Sequence, residues 1–262
     1  MLVTNRWIYY DLEKTGCTFL EGKLRKMCSE AKFEKGKKHT RPLTISHLPK
    51  ILTIRDPILW YFSLWSYGLD GNGKFAKSLH KKLPSVAAAA YQGKNKDSFS
   101  FFLDFTLSSN SINPTTSFDL TMPLSCDIYT SRILQMIVPR DQLNPFLSSL
   151  NADFSKKSLE KSIVSFIPEI ILRTSSLNQD FYDYSMAGKL DFLGMSPNWK
   201  EFFPMDTKAE NKSTLSSTKS SAEIVGKYLS NYHEKLIECK SELAHYLIGC
   251  ASQRLKKLDI TF

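Results

Sequence analysis

No two cysteines in this sequence stand at the spacing of a metal knuckle or a redox motif. The five, Cys17, Cys28, Cys126, Cys239 and Cys250, are an odd number with no CxxC pair and no histidine partner at metal-ligand spacing. They read as reduced thiols in a cytosol-like compartment, with no structural zinc. Long apolar runs are missing too. Nothing reaches the roughly 18 consecutive apolar residues of a membrane-spanning helix, and MLVTNRWIYYDLEK lacks the apolar centre of a signal peptide. A soluble, cytoplasmic chain is the expectation. RNP, helix-turn-helix and zinc-finger patterns are absent, which argues against a nucleic-acid partner. No internal repeat is evident.

What is present is a chain of 262 residues, 42% hydrophobic, long enough for one sizeable core. Thirty-five Lys and Arg against 26 Asp and Glu leave a net charge of +9. That balance favours polyanionic partners: nucleic acid, an anionic lipid surface touched peripherally, or a phosphorylated small molecule. Charge alone does not choose among them, and oligomeric state is not encoded in any visible pattern.

Along the chain, Arg6 to Leu12 alternates bulky apolar residues as a buried strand does, and Thr18 to Lys32 carries Phe19, Leu20, Leu24 and Met27 at helical spacing. The basic, turn-rich EKGKKHTRP follows as an exposed loop. Ile51 to Ile54 is a short β-branched strand that stops at Arg55-Asp56-Pro57. Asp56 suits an N-cap and Pro57 a first helical turn, so LWYFSLWSYG continues as a helix to Gly68. An Ala-rich stretch, the amphipathic SFSFFLDFTLSS and the polar surface loop 108–123 come next. A short strand is expected around IPEIILR, then the linker NKSTLSSTKSS, and then one long helix over 222–248 with a single apolar stripe. Strands alternating with helices predict a single α/β domain over 1–262, a central mostly parallel sheet flanked by helices, with 205–221 as a mobile segment.

Two stretches carry chemistry. In EKTGCTFL, a strand runs into a tight loop that opens a helix, which gathers unpaired backbone N–H groups and the positive end of the helix dipole at one point. Lys14 adds a full charge, Gly16 lets the backbone approach a ligand, and Thr15 and Thr18 offer hydroxyls. GxxxxGK[ST] is absent, so the triphosphate and magnesium arrangement is not encoded. An ordinary β-α turn with a lysine at its rim fits the same residues. In ILTIRDPILWYFSLW, Arg55 stands at the carboxyl end of its strand, where open α/β sheets place ligands. Its guanidinium can grip a phosphate with two donors, and Ser63, about two helical turns on, can add a hydroxyl. An Arg55 paired with a carboxylate and a merely tolerated Ser63 fit equally well.

Together, KTGCTF and IRDPILWYFSLW resemble the sulfotransferase superfamily at its carbohydrate-sulfotransferase end, of bacterial type. The first resembles that family's loop for the 5′-phosphosulfate of 3′-phosphoadenosine 5′-phosphosulfate (PAPS), and the second its strand and helix for the 3′-phosphate. SFSFFLDF, ILRTSSLNQDF, LGMSPNW and NKS are similar to later family segments, so the resemblance spans most of the chain. It departs where Glu13 replaces a usual Pro, Trp60 a common Arg, and Ser175 a common Glu.

The resemblance implies a P-loop-NTPase-like sulfotransferase fold and in-line transfer of a sulfuryl group from PAPS, without a metal, to a hydroxyl or amine of a glycan or glycolipid. Lys14 would stabilise charge on the leaving phosphate oxygen. Lys14, Thr15, Gly16, Cys17, Thr18 and Phe19 would hold the 5′ end, and Arg55 and Ser63 the 3′-phosphate. Lys212 and Ser213 would fold over the nucleotide. The general base would be His39, in KKHTRP between the two motifs, with His47 as the alternative. Lys37, Lys38 and Arg41 suit a solvated face or an anionic saccharide beside that base. His80, His233 and His245 read as surface or packing residues. Two other classes remain open on the residues alone: a small-molecule kinase with a divergent phosphate loop, and a non-enzymatic polyanion-binding protein.

Overall fold

The computed structural model describes residues 1–28, 31–34, 39, 42–108, 127–149, 161–204 and 225–258. Four strands form one sheet in the order β1 (Leu2–Val3), β2 (Ile8–Tyr10), β3 (Lys50–Ile54), β4 (Ile170–Arg173). The sheet is mixed. β2, β3 and β4 run parallel, with Tyr9 beside Ile51 and Ile51 beside Ile170, and β1 pairs antiparallel at the edge. The turn between β1 and β2 is held by the Thr4 hydroxyl, which donates to the Trp7 carbonyl and accepts the Trp7 N–H, both at 2.9 Å.

Strand alternation divides the interior in two. Ile8, Tyr10, Leu52, Ile54 and Ile171 face one core, and Tyr9, Ile51, Ile170 and Leu172 face the other. The second core is closed by α1 (Cys17–Met27) and α8 (Leu177–Met186). The first is larger. It is filled by α2 (Pro57–Leu69), α3 (Lys74–Lys82), α4 (Pro84–Ala90), α5 (Lys96–Leu107), α6 (Ile128–Ile137), α7 (Arg140–Ser149), α9 (Asn231–Lys240) and α10 (Glu242–Lys256). Every residue of α6 is buried, so this helix runs through the interior rather than along its surface. Trp60 and Trp65 on α2 are fully buried, and so is Phe102 on α5.

Three expectations are corrected. The first helix stops at Met27, because Cys28 leaves helical geometry and a turn through Ala31 brings Phe33 to a bridge with Thr4. The first strand is shorter than Arg6 to Leu12, since Thr4 and Trp7 are occupied by the turn. The helix expected over 222–248 is two helices, α9 and α10, of which residues 222–224 lie outside the described residues. The chain breaks at Ser241, whose hydroxyl donates to the buried Asp127 carboxylate at the N-cap of α6. A serine with a tertiary partner leaves a helical pattern readily, because its side chain competes for the backbone. The loop 109–123 and the segment 205–221 lie outside the described residues.

Candidate functional site

The carboxyl ends of β2, β3 and β4 meet at one edge, and the chain leaving β2 forms the loop that opens α1. Its first half is anchored by hydroxyls. Thr15 donates to the Leu12 carbonyl at 2.7 Å and lies 2.8 Å from the Thr53 hydroxyl, which in turn lies 2.9 Å from the Tyr9 phenol. Each hydroxyl has one proton, so the chain of donation runs Tyr9 to Thr53 to Thr15 to Leu12. The Thr15 hydroxyl is buried and committed within the fold.

Lys14 and Gly16 both take the left-handed conformation, at φ 65° and 77°. For Gly16 this is easy, and for Lys14 it is strain that surrounding contacts must hold. The two turns aim the chain so that α1 begins at Cys17, with Gly16 as an N-cap that brings no side-chain bond. The first backbone bond of the helix is Leu20 N–H to the Gly16 carbonyl, 3.1 Å. The amides of Thr18 and Phe19 have no partner among the described residues, and the first turn carries no acid. An uncapped, acid-free helix start is a ready place for an anion.

Arg55 joins this loop from β3. Its Nη1 donates to the Lys14 carbonyl at 3.1 Å, and its backbone exchanges two hydrogen bonds with the Tyr129 hydroxyl, 3.1 and 2.9 Å. Its Nε is buried without a partner among the described residues. Burial pushes the guanidinium below its ordinary pKa. Trp60 donates from Nε1 to the Glu13 carbonyl at 2.8 Å and stacks on Tyr129 at 4.3 Å between centroids. Ser63 lies half-buried on α2 with no side-chain bond among the described residues. Thr174, past the end of β4, shares its hydroxyl between the carbonyls of Thr15 (3.0 Å) and Ile54 (2.9 Å). Arg173 is committed to the buried Asp180, Nη2 to Oδ1 at 2.6 Å.

The Lys14 ammonium rests on the Tyr67 ring of α2, 3.1 Å from its centroid. Burial lowers its pKa to about 8; Arg55 adds to the lowering, while Cys17, Glu13 and Asp70 oppose it. Glu13 meets the buried Arg132 of α6 with both carboxylate oxygens, Nη2 to Oε2 at 2.9 Å and Nε to Oε1. Burial raises the Glu13 pKa, but the charge and hydrogen bonds of Arg132, aided by His39, hold it below the usual carboxylate range. Arg132 also donates from Nη1 to Gln135 Oε1 at 2.6 Å. Sequence reading missed Arg132, which lies 119 residues from Glu13.

His39 is tied to the end of β2. Its backbone N–H reaches both Asp11 carboxylate oxygens at 3.0 Å, and its ring Nδ1 meets the Asp11 carbonyl. A carbonyl only accepts, so Nδ1 carries a proton, and Nε2 is the ring nitrogen left to exchange one. His47 is exposed and precedes the amino end of β3, the opposite end of the strand from Arg55. Lys37, Lys38, Arg41, Lys212 and Ser213 lie outside the described residues. His233 is buried between Ser230 and Asp104. Among the described residues, no cluster of His, Cys, Asp and Glu could hold a metal ion, and no helix is long and apolar enough to cross a membrane.

Scans against protein-family models, curated proteins and solved structures find no match for the chain. The site combines an uncapped helix start, a loop that carries Lys14 and is met by Arg55, and His39 tied to the end of the preceding strand.

Proposed function

We propose that the chain is a PAPS-dependent sulfotransferase, moving the sulfuryl group to a hydroxyl of a carbohydrate or glycolipid and leaving adenosine 3′,5′-bisphosphate. The observation that supports this reading most is the Arg55 Nη1 bond to the Lys14 carbonyl, which joins cations from two neighbouring strand ends around one open helix start. A nucleotide with phosphates at both ends needs two such grips, and the chain supplies them without a GK[ST] sequence. In this mechanism the acceptor oxygen attacks sulfur as its proton passes to His39 Nε2, and the bond from sulfur to the phosphate oxygen breaks. The leaving oxygen takes the electron pair and is met by Lys14 and the first amides of α1, fixed donors that need no reorganisation. Arg55 and Ser63 hold the far phosphate and so keep the sulfur in line with the acceptor.

A ligand titration tests it. Adenosine 3′,5′-bisphosphate without magnesium should stabilise the fold by about 2.7 kcal/mol at a hundred times its Kd, and Lys14→Ala should abolish sulfate transfer from radiolabelled PAPS while the fold persists. Stabilisation only by ATP with magnesium would move the reading to a kinase, and full turnover by Lys14→Ala would sink the site assignment.

A further inference from the structure

His233 is buried and takes no part in the sulfate transfer. It stands in the first turn of α9, where its ring meets groups from two helices. Nε2 lies 2.9 Å from Oδ1 of Asp104 on α5, and Nδ1 lies 2.7 Å from the Ser230 hydroxyl at the N-cap of α9. An ionised carboxylate only accepts, so Nε2 carries a proton, and Nδ1 is the ring nitrogen left to exchange one with the hydroxyl. The Ser230 oxygen also accepts the His233 backbone N–H at 3.2 Å, which uses a lone pair and leaves its own proton for Nδ1. Hydroxyl, imidazole and carboxylate thus form one hydrogen-bonded series, the arrangement that makes a weak serine nucleophile reactive. The cap position adds a second element. The backbone amides of Asn231 and Tyr232, the first two of the helix, have no partner among the described residues. An amide directly after a serine nucleophile is placed to meet an oxyanion. Ser230 is half-buried and Asn231 and Tyr232 are exposed, so this corner faces solvent. The Tyr232 ring, 65% exposed, stands edge-on to the His233 ring at 5.2 Å between centroids.

We infer that Ser230, His233 and Asp104 form an acyl-transfer centre that hydrolyses small uncharged aryl esters. The Ser230 oxygen attacks the ester carbonyl carbon while its proton passes to His233 Nδ1. The carbonyl electron pair moves onto oxygen, where the Asn231 and Tyr232 amides meet it. When that pair returns, the bond to the aryl oxygen breaks, and the leaving oxygen takes the proton from Nδ1. Water then attacks the acyl-serine by the same two steps, releasing the acid and restoring the hydroxyl. Asp104 touches no substrate; it is a positioning residue that holds the ring and stabilises the imidazolium. Tyr232 offers the aryl group an exposed ring to pack on. Neither α5 nor α9 supplies a residue to the site at the strand ends, so the inference is independent of the sulfotransferase reading.

Turnover of p-nitrophenyl acetate and labelling by diisopropyl fluorophosphate, both on the full chain, test it. The fluorophosphate should modify Ser230 with loss of fluoride, as located by peptide mass mapping. Ester turnover should fall about a hundredfold or more in His233→Gln, which removes the base. Ser230→Asn keeps a capping side chain without the hydroxyl, so the helix start persists and turnover should fall by about as much. Asp104→Asn should lower kcat about tenfold with KM unchanged, less than for a buried carboxylate because the Asp104 side chain is 59% exposed. Burial lowers the pKa of Lys14, which makes its amine the competing nucleophile. Acetyl transfer to Lys14 with Ser230 left unlabelled would overturn the inference. So would a wild type that neither turns over the ester nor takes the label, or a Ser230→Asn chain as active as the wild type.

Discussion

Two helices begin at the same edge of the sheet, each just after a parallel strand, and they begin in opposite ways. α2 starts with its own anion: the Asp56 carboxylate accepts the Leu59 N–H at 3.1 Å, and Pro57 fills a position where an N–H would be orphaned. α1 starts with Gly16, no cap and no acid in its first turn, and Lys14 stands just before it. α2 is closed to a phosphate and α1 is open to one. Their moorings differ as well. The cap of α2 comes from the adjacent Asp56, whereas the loop before α1 is also held by Arg132 and Thr174, both far along the chain.

Giving α1 the cap that α2 has should erase the difference. Asp tolerates the left-handed conformation better than most residues, so Gly16→Asp should fold and place a carboxylate where the ligand's anion would sit. Like charges about 4 Å apart at a surface-like dielectric cost about 4 kcal/mol, so bisphosphate affinity should fall by about a thousandfold in a calorimetric titration. An unchanged affinity would mean that the helix start is not where the phosphate binds.

The mooring can be cut instead. Arg132→Ala leaves the half-buried Glu13 carboxylate without its guanidinium partner, which should cost about 3 kcal/mol in denaturant unfolding, at the low end for such pairs because Glu13 is partly exposed. Glu13→Gln on that background should recover much of the loss. Acid should act in the same direction on the wild type. The folded pKa of Glu13 lies below its unfolded value, so the pair's stabilisation is present above the ordinary carboxylate pKa and disappears as pH falls through the lowered one. In Arg132→Ala that acid-side loss should shrink.

A smaller effect separates ligand binding from folding. Lys14 titrates near 8 in the fold against an unperturbed 10.5, so the fold favours its neutral form. Between those values the free protein should gain stability with rising pH, while bisphosphate affinity falls up to tenfold per unit as the ammonium is lost. Lys14→Ala should flatten both trends, and a falling stability limb over that window would contradict the burial of Lys14 against Tyr67. The smallest change is Asp56→Ala. It should lower stability by about 1 kcal/mol through the lost cap and leave bisphosphate affinity alone.

The same contrast explains what could be read from sequence. β3, Asp56, Pro57 and α2 were legible together because strand pattern, cap and first-turn proline act within a few residues. The strand, loop and helix order around EKTGCTFL was legible for that reason too, as was an α/β fold with helices on both sheet faces. The role of Glu13 was not, because its partner is Arg132, 119 positions away, and an Arg in an apolar helix carries no mark of what it will meet. The break at Ser241 depends likewise on Asp127, 114 positions away, and the apolar stripe runs on across it. Thr15 illustrates a subtler miss. A hydroxyl in a candidate phosphate loop suggests a ligand donor, yet Thr53 and Leu12 take it first.

Thr174 has a consequence for time rather than for energy. One hydroxyl proton spans the carbonyls of Thr15 and Ile54, so the segments leaving β2, β3 and β4 share a single fastener. For any one of them to swing outward, the other two must release their hold in the same event. Fluctuations at this edge should be rare and concerted, with amides of all three segments exchanging hydrogen at one common rate, and Thr174→Val should split that rate into separate ones.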